Sequence, residues 1–221
     1  MSVRPLAFPL AVVALSASLA AQDDPPVGAF ELGGGVQWIG GSPAGSSSAM
    51  EASNRAGGLP GITLFEADAR LRAAPGVGAR IGYALTRRLA IEGGFTYSRP
   101  AVATTVRNDF EGAPQASVRS ALHQYFVDVG VTVRLEGLRL GARAVPFVAA
   151  RAGYLRHLTE DRALARTGRV YQLGGGVKRA IGRRTGLRFE AGLGVRHGGF
   201  SLDDARTRAF FTAGAGAFVV F

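Results

Sequence analysis

The chain contains no cysteine, which removes disulfides, thiolate nucleophiles and cysteine-ligated metals together. Lysine is nearly absent as well: Lys178 is the only one among 26 basic residues, and arginine supplies the rest. Outside the N-terminus there is no run of about 18 apolar residues, so no segment reads as a transmembrane helix. Acidic residues number only 16, which leaves a formal charge of +10. Such an excess suits nucleic acid, an anionic membrane surface, or a fold that pairs its arginines internally. No basic stretch is interleaved with stacking aromatics, which argues against nucleic acid. What is abundant is glycine, 32 residues of 221, in a chain that is 47% hydrophobic. That is too much glycine for a helical bundle and too apolar a composition for disorder. The length fits one domain.

The N-terminus carries an address. "MSVRPLAFPLAVVALSASLAAQDDPP" has one arginine, Arg4, then a short apolar run interrupted by Pro9, then Ser18-Leu19-Ala20 before Asp23 and Asp24. This is the layout of a cleaved secretory signal, too short and broken for an anchor. The expected organisation is a signal peptide over 1–21 and one domain over 22–221, with the signal segment a helix detached from that domain.

The domain alternates with a period of two. In "RRTGLRFEAGLGVRH", Leu187, Phe189, Ala191, Leu193 and Val195 share one face, and Arg188, Glu190, Gly192, Gly194 and Arg196 the other. An apolar face and a polar or tiny face over about ten residues is what a strand needs to cross a bilayer. The pattern recurs with Phe30, Leu32, Val36 and Trp38 opposite Glu31 and Gln37. It recurs with Leu89, Ile91, Phe95 and Tyr97 opposite Glu92, and with Tyr125 to Leu135 opposite Asp128 and Arg134. Tyr171, Leu173 and Val177 oppose Lys178, and Phe211 to Phe221 oppose Thr212, Gly214 and Gly216. In "PFVAARAGYLRH" both faces are apolar; placing Val148, Ala150, Ala152 and Tyr154 outside leaves Arg151 inside with the other charges.

From 62 to 84 a single parity runs through Phe65, Ala67, Ala69, Leu71, Ala73, Val77, Ala79, Ile81 and Tyr83, against Glu66, Asp68, Arg70, Arg72 and Arg80. Pro75-Gly76 interrupts it, because proline cannot donate to a ladder. The unbroken parity predicts one long strand, bulged at Pro75, and hence eight strands in all. Tight joints at 85–88 and 182–185 and a moderate one at 136–145 alternate with longer joints at 40–61, 99–117, 158–166 and 198–206. Short periplasmic turns alternating with longer outer loops define an outer-membrane arrangement. Trp38, Tyr97, Tyr154 and Tyr171 fall toward the long-loop end of their strands, and Phe30, Tyr83 and Phe221 toward the other. Two aromatic belts of this kind mark two membrane interfaces. A soluble eight-stranded barrel would instead turn its apolar face inward.

The predicted fold is therefore an all-β, eight-stranded antiparallel up-and-down barrel in the bacterial outer membrane. The chain resembles the small outer-membrane β-barrel domain family, the group of the OmpA transmembrane domain, OmpX and OmpW, over about 26–221. "VGARIGYALTRRLAIEGGFTY" is its most typical stretch. The resemblance implies that Gly216, Val219 and Phe221 form the signature read by the barrel-assembly machinery. No segment follows the last strand, so the peptidoglycan-binding domain of full-length OmpA is not expected.

For function, the inward set is Glu31, Glu92, Asp128 and Glu190 with Arg80, Arg134, Arg151, Lys178, Arg188 and Arg196. Charges in so narrow a lumen must pair or be hydrated. They make either a salt-bridged plug or a narrow, gated small-solute path. Some barrels of this family modify lipid A with a His/Ser/acid set on the rim. Here His123, His157 and His197 map near the outer ends, with Ser120, Ser201, Asp203 and Asp204 nearby. Polar residues are the normal content of a rim, and the reading is non-enzymatic, with no metal and no cofactor. Arg99, Arg107, Arg119, Arg156, Arg162, Arg166, Arg169 and Arg206 gather toward the outer rim. They solvate loops or meet phosphates of lipopolysaccharide, which suit the arginine fork. The expected partners are outer-membrane lipids, lipopolysaccharide and, during biogenesis, the assembly machinery; the expected state is a monomer. Finally, 62–76 and 99–110 flank one turn and overrun a bilayer's width, so they are expected to pair above the membrane as a protruding wall, 65–72 against 101–108. The edge of such a wall could take up a partner strand.

Overall fold

The computed structural model describes residues 26–51, 62–108, 114–138, 144–160, 164–203 and 207–221. The expected signal segment lies outside them. The described residues form eleven strand segments: β1 (Phe30–Ile39), β2 (Ser42–Glu51), β3 (Ile62–Leu71), β4 (Ala74–Ala84), β5 (Leu89–Ser98), β6 (Ala101–Arg107), β7 (Ala116–Arg134), β8 (Ala144–Thr159), β9 (Ala165–Ala180), β10 (Thr185–Gly198) and β11 (Thr207–Val220). Eight of them, β1, β4, β5 and β7 to β11, close into an antiparallel barrel. Each pairs with the next, and β11 returns to β1 from Glu31↔Val220 to Ile39↔Thr212. Closure satisfies the backbone of every spanning strand without an edge, which is the condition for crossing hydrocarbon with β-structure.

The period of two decides which face meets lipid. Val36 is 62% exposed and Leu173 and Leu193 are each 68% exposed, all pointing away from the barrel axis. Inside, Phe126, Phe147, Leu155, Val170, Phe210 and Phe218 are buried beside polar groups. Val148, Ala152 and Tyr154 point outward and Arg151 inward, as the alternation of β8 requires. Among the outward aromatics, Phe30 and Tyr83 lie tilted with ring centroids 4.9 Å apart near the turn end, and Tyr97 lies 5.2 Å from Tyr125 near the other.

Above the membrane the strands do not stop. β2, β3, β6 and the first part of β7 form a second, four-stranded sheet continuous with one side of the barrel. The expected pairing of 65–72 with 101–108 is present, from Glu66↔Arg107 to Leu71↔Val102. Two expectations are corrected. The first half of the 40–61 joint is strand β2, not loop. "SPAGSSSAME" has the composition of a loop, but β3 offers it a ladder, and serine is tolerated on a wet sheet face.

The second correction concerns parity. It does not run unbroken from 62 to 84, and the bulge is not at Pro75. Residues 74, 76 and 82 on β4 face the lumen side, yet on β3 it is 69 and 71 that are buried, so the faces exchange at Arg72–Ala73. β1 and β2 exchange likewise across Gly40–Gly41, where Ile39 is buried and then Ser42 and Ala44. The two bends face each other: a Cβ on Gly41 would lie 2.7 Å from the Leu71 carbonyl oxygen, so only glycine allows that approach. Pro75 is accommodated within β4 because the β4–β5 ladder begins only at Gly76↔Ser98. The exchange has a physical reason. In the membrane, apolar odd residues face lipid, whereas above it there is no lipid to face. Ala69 and Leu71 therefore turn to the mouth side and pack with Ala44, Val102 and Leu122 beneath Phe200 and Leu202 of the β10–β11 loop. The sheet's other face carries Glu66, Asp68 and Arg107, tied by an Arg107–Asp68 pair at 2.7 Å.

Candidate functional site

Nine of the ten inward charges converge on one ion-pair network in the lumen. Glu92, on β5 and only 2% exposed, is its centre. Arg188 of β10 donates to it through both terminal nitrogens, Nη1 to Oε1 at 2.8 Å and Nη2 to Oε2 at 3.1 Å. Lys178 of β9 adds a bond at 3.3 Å and Arg80 of β4 one at 3.4 Å. Glu31 takes both its oxygens to Lys178 Nζ at 2.7 and 2.8 Å, with Arg134 and Arg188 at 3.9 Å. Glu190 accepts from Arg80 at 3.0 Å, from Arg188 Nε at 2.9 Å and from Arg151. Asp128 lies 3.9 Å from Arg151 Nε. The Arg188 guanidinium also sits over the Phe147 ring, 4.3 Å from its centroid, a face that attracts cations.

Five cations thus face four carboxylates, drawn from seven of the eight barrel strands. Each strand contributes at most two members, so the network can form only when all are in register. Beside it, along the glycine-rich stretch Gly33–Gly35 of β1, lies a cavity of about 90 Å³ that reaches Gln37, Thr96 and Thr212. That is room for roughly half a dozen waters.

Arg196, the tenth inward charge, stands apart. It is 3% exposed, and among the described residues no carboxylate pairs with it. Its guanidinium donates instead to the Pro43 carbonyl oxygen at 3.1 Å and the Phe200 carbonyl oxygen at 3.4 Å, tying β10 to the foot of β2 and to the β10–β11 loop. His157, on β8, holds the same loop. The Phe200 N–H donates to its Nδ1 at 2.9 Å, so the ring is neutral and its Nε2 donates to Gln124 Oε1 at 2.7 Å. Gln124 in turn donates to Ser98 at 3.2 Å. A third tie is Asp203, which accepts from Arg208 and from Ser201 Oγ at 2.7 Å. These bonds draw Asp203 down to a pKa of about 2, the Arg208 bond most strongly and Ser201 next. Loop 199–203 is therefore laced across the barrel mouth.

The rim histidines do not meet the rim serines. His123 points outward to the Tyr97 hydroxyl at 2.8 Å, and His197 to Thr207 at 3.4 Å. Ser201 is engaged by Asp203 and the Ala44 carbonyl oxygen, and Ser120 is a Cα partner of Val102 in the upper sheet. Asp204 lies outside the described residues. Sequence reasoning missed the mouth ties of Arg196, His157 and Asp203; the only signal for them was that three buried-face polar residues cluster near strand ends.

A closed eight-stranded barrel with an apolar outer face, aromatic ends and an ion-paired interior is an outer-membrane β-barrel. The chain belongs to the family described as outer membrane protein beta-barrel domain, whose pattern it matches over residues 8–217, and it is a protein of the bacterial outer membrane. Among solved structures it is similar to the outer membrane protein OprG from Pseudomonas aeruginosa, at 12% identity and a TM-score of 0.53, over 88% of this chain and 96% of that one. It is also similar to Neisserial surface protein A, at 13% identity and a TM-score of 0.50, over 87% and 98% respectively. At these identities the likeness is one of fold. No curated protein sequence matches the chain.

Proposed function

We propose that this barrel is a structural and surface-interaction protein, in which the spanning part is an anchor and the four-stranded sheet is the working surface. One observation carries the reading: the lumen is crossed by a network centred on a carboxylate that is 2% exposed, while chain is invested in a sheet that stands clear of the membrane. A path for solute would have to break several mutually supporting pairs at once, and a buried pair opened on one side costs about 3–5 kcal/mol. The sheet displays an ion-paired face, with Glu66, Asp68 and Arg107, to the outside, and its β2 rim offers backbone for a partner strand. A catalytic role has no assembled nucleophile and base at the rim among the described residues. Gly216, Val219 and Phe221 serve the assembly machinery before β11 zips onto β1, where the Phe221 N–H now donates to the Phe30 carbonyl oxygen at 2.8 Å.

The rival reading is a narrow channel, and conductance across a planar bilayer separates the two. The purified protein is expected to give no steady unitary steps. Salt-dependent steps that Arg188→Ala alters or abolishes would overturn the anchor reading.

A further inference from the structure

The outer wall of β8 and β9 carries an arrangement that neither the plug nor the sheet explains. Register places Tyr154 opposite Arg169 and Arg156 opposite Thr167 on this pair of strands. On the flanking strands Tyr125 is the partner of Arg156, and His197 is the partner of Arg169. All of these lie on the lipid-facing parity. Tyr154 is 63% exposed and Tyr171, the next outward residue below Arg169, is 51% exposed. Both arginines are exposed as well.

The two guanidiniums differ from those of the lumen network and of the sheet's ion-paired face. Arg80, Arg107, Arg151 and Arg188 each hold at least one carboxylate, and Arg208 holds Asp203. Among the described residues neither the Arg156 nor the Arg169 side chain makes a hydrogen bond or an ion pair. Two unpaired cations side by side repel each other, and nothing in the fold of the wall requires them there.

Height gives them a use. A strand rises about 3.4 Å per residue, so Arg156 lies roughly 7 Å along its strand beyond Tyr154 and Arg169 the same distance beyond Tyr171, each on the outer side, with Arg169 level with Tyr154. Tyrosines of a barrel's outer belt sit at the headgroup boundary, which puts the arginines among lipid phosphates. The upper sheet rises over β1, β4, β5 and β7, the last of these beside β8, and does not include β8, which ends at Thr159, or β9, which begins at Ala165. The tall part of the protein thus leaves this wall open to the headgroup layer. Below Tyr154 the outward residues of β8, Ala152 and Ala150, are small, beside the protruding Leu173 of β9.

We propose that Arg156 and Arg169, with Tyr125, Tyr154, Tyr171 and His197 around them, form a binding patch for the phosphorylated headgroup of an outer-leaflet glycolipid. Two forks offer paired N–H donors to a phosphate monoester, and tyrosine hydroxyls can donate from below. The patch does not depend on the anchor reading, since a channel or an anchor could each carry it.

The test uses the folded full-length mature protein in zwitterionic detergent, with diphosphoryl lipid A as probe and native mass spectrometry as readout. The parent is expected to retain the lipid. Arg156→Gln with Arg169→Gln should weaken retention at least tenfold, while Arg87→Gln with Arg184→Gln, on turns at the opposite end, should leave it unchanged. Arg156→Lys with Arg169→Lys should fall between, because charge is kept and the fork is lost. The heat-dependent gel shift of each variant reports that it is folded. Equal retention by the Gln pair and the parent overturns the proposal, as does equal retention of lipid A stripped of its phosphates. Displacement by inorganic phosphate at the lipid's own concentration would show a free-anion site and overturns it too.

Discussion

At the residue scale the protein concentrates its electrostatic risk in one carboxylate. Glu92 neutralises parts of Arg188, Lys178, Arg80 and Arg151, and no other acid reaches all four. Glu92→Gln keeps the shape and removes the charge, leaving buried cations uncompensated. It is expected to cost about 3–5 kcal/mol, read as a lower urea midpoint in refolding experiments followed by gel mobility. Adding Lys178→Met, which withdraws one surplus cation, should recover part of that loss. A midpoint unmoved by Glu92→Gln would mean that water, not Glu92, compensates the arginines.

Asp203 sets a second residue-scale expectation, in acid. Its folded pKa of about 2 lies below the ordinary carboxylate value, which is about 3.9 in an unfolded chain. A depressed carboxylate contributes stability that is complete above the unfolded value and is lost as pH falls through the folded one. The loop tie should therefore be constant from pH 7 to 5 and fail between roughly pH 4 and 2. The reporter is the Leu202 amide, which donates to the Ala44 carbonyl oxygen at 2.7 Å. Its exchange protection, corrected for intrinsic rates, should hold and then drop across that window. In Asp203→Asn the same amide should exchange faster at neutral pH and show no such step.

At the scale of elements, the spanning strands were legible because lipid enforces one rule along each of them. A residue facing hydrocarbon must be apolar, so Leu187, Phe189, Ala191, Leu193 and Val195 reveal β10 without help from any neighbour. The lumen charges were legible for the complementary reason, being excluded from the other face. Above the membrane that rule lapses. Ala69 and Leu71 continue the odd-numbered apolar pattern of β4 in sequence, yet they bury against Phe200 and Leu202 while Val77 and Ile81 face lipid. Periodicity cannot register the exchange at Arg72–Ala73, because a two-residue bend leaves the pattern intact while reversing its meaning. β2 was hidden differently. Its serines carry no signal, and its strand state depends on the ladder that β3 offers once the hairpin forms. The mouth ties were illegible for the same reason. Arg196 to Pro43 spans 153 positions, and its acceptor is a backbone carbonyl that no residue type advertises.

At the scale of the whole molecule, two ladders meet at the paired bends and share β7, whose first part lies in the upper sheet and whose remainder lies in the barrel. The barrel's hydrogen-bond circuit runs through β1, β4, β5 and β7 to β11 and never uses β2, β3 or β6. The two bends already lie against each other, since a Cβ on Gly41 would come within 2.7 Å of the Leu71 carbonyl oxygen. A short turn replacing Ser42–Leu71 can thus join β1 to β4 directly, in the manner of a two-residue hairpin loop. The shortened protein is expected to insert and fold, keeping the compact band before boiling and the slower band after it. It should lose the apolar seat for Phe200 and Leu202, because Ala44, Ala69 and Leu71 depart together. Limited proteolysis should then cut within 199–203, where the parent resists. Retained resistance would show that Arg196, His157 and the Asp203–Arg208 pair hold the loop without that seat. Loss of the compact band would show instead that the barrel needs its upper sheet in order to close, and the separation of anchor from working surface would fail with it.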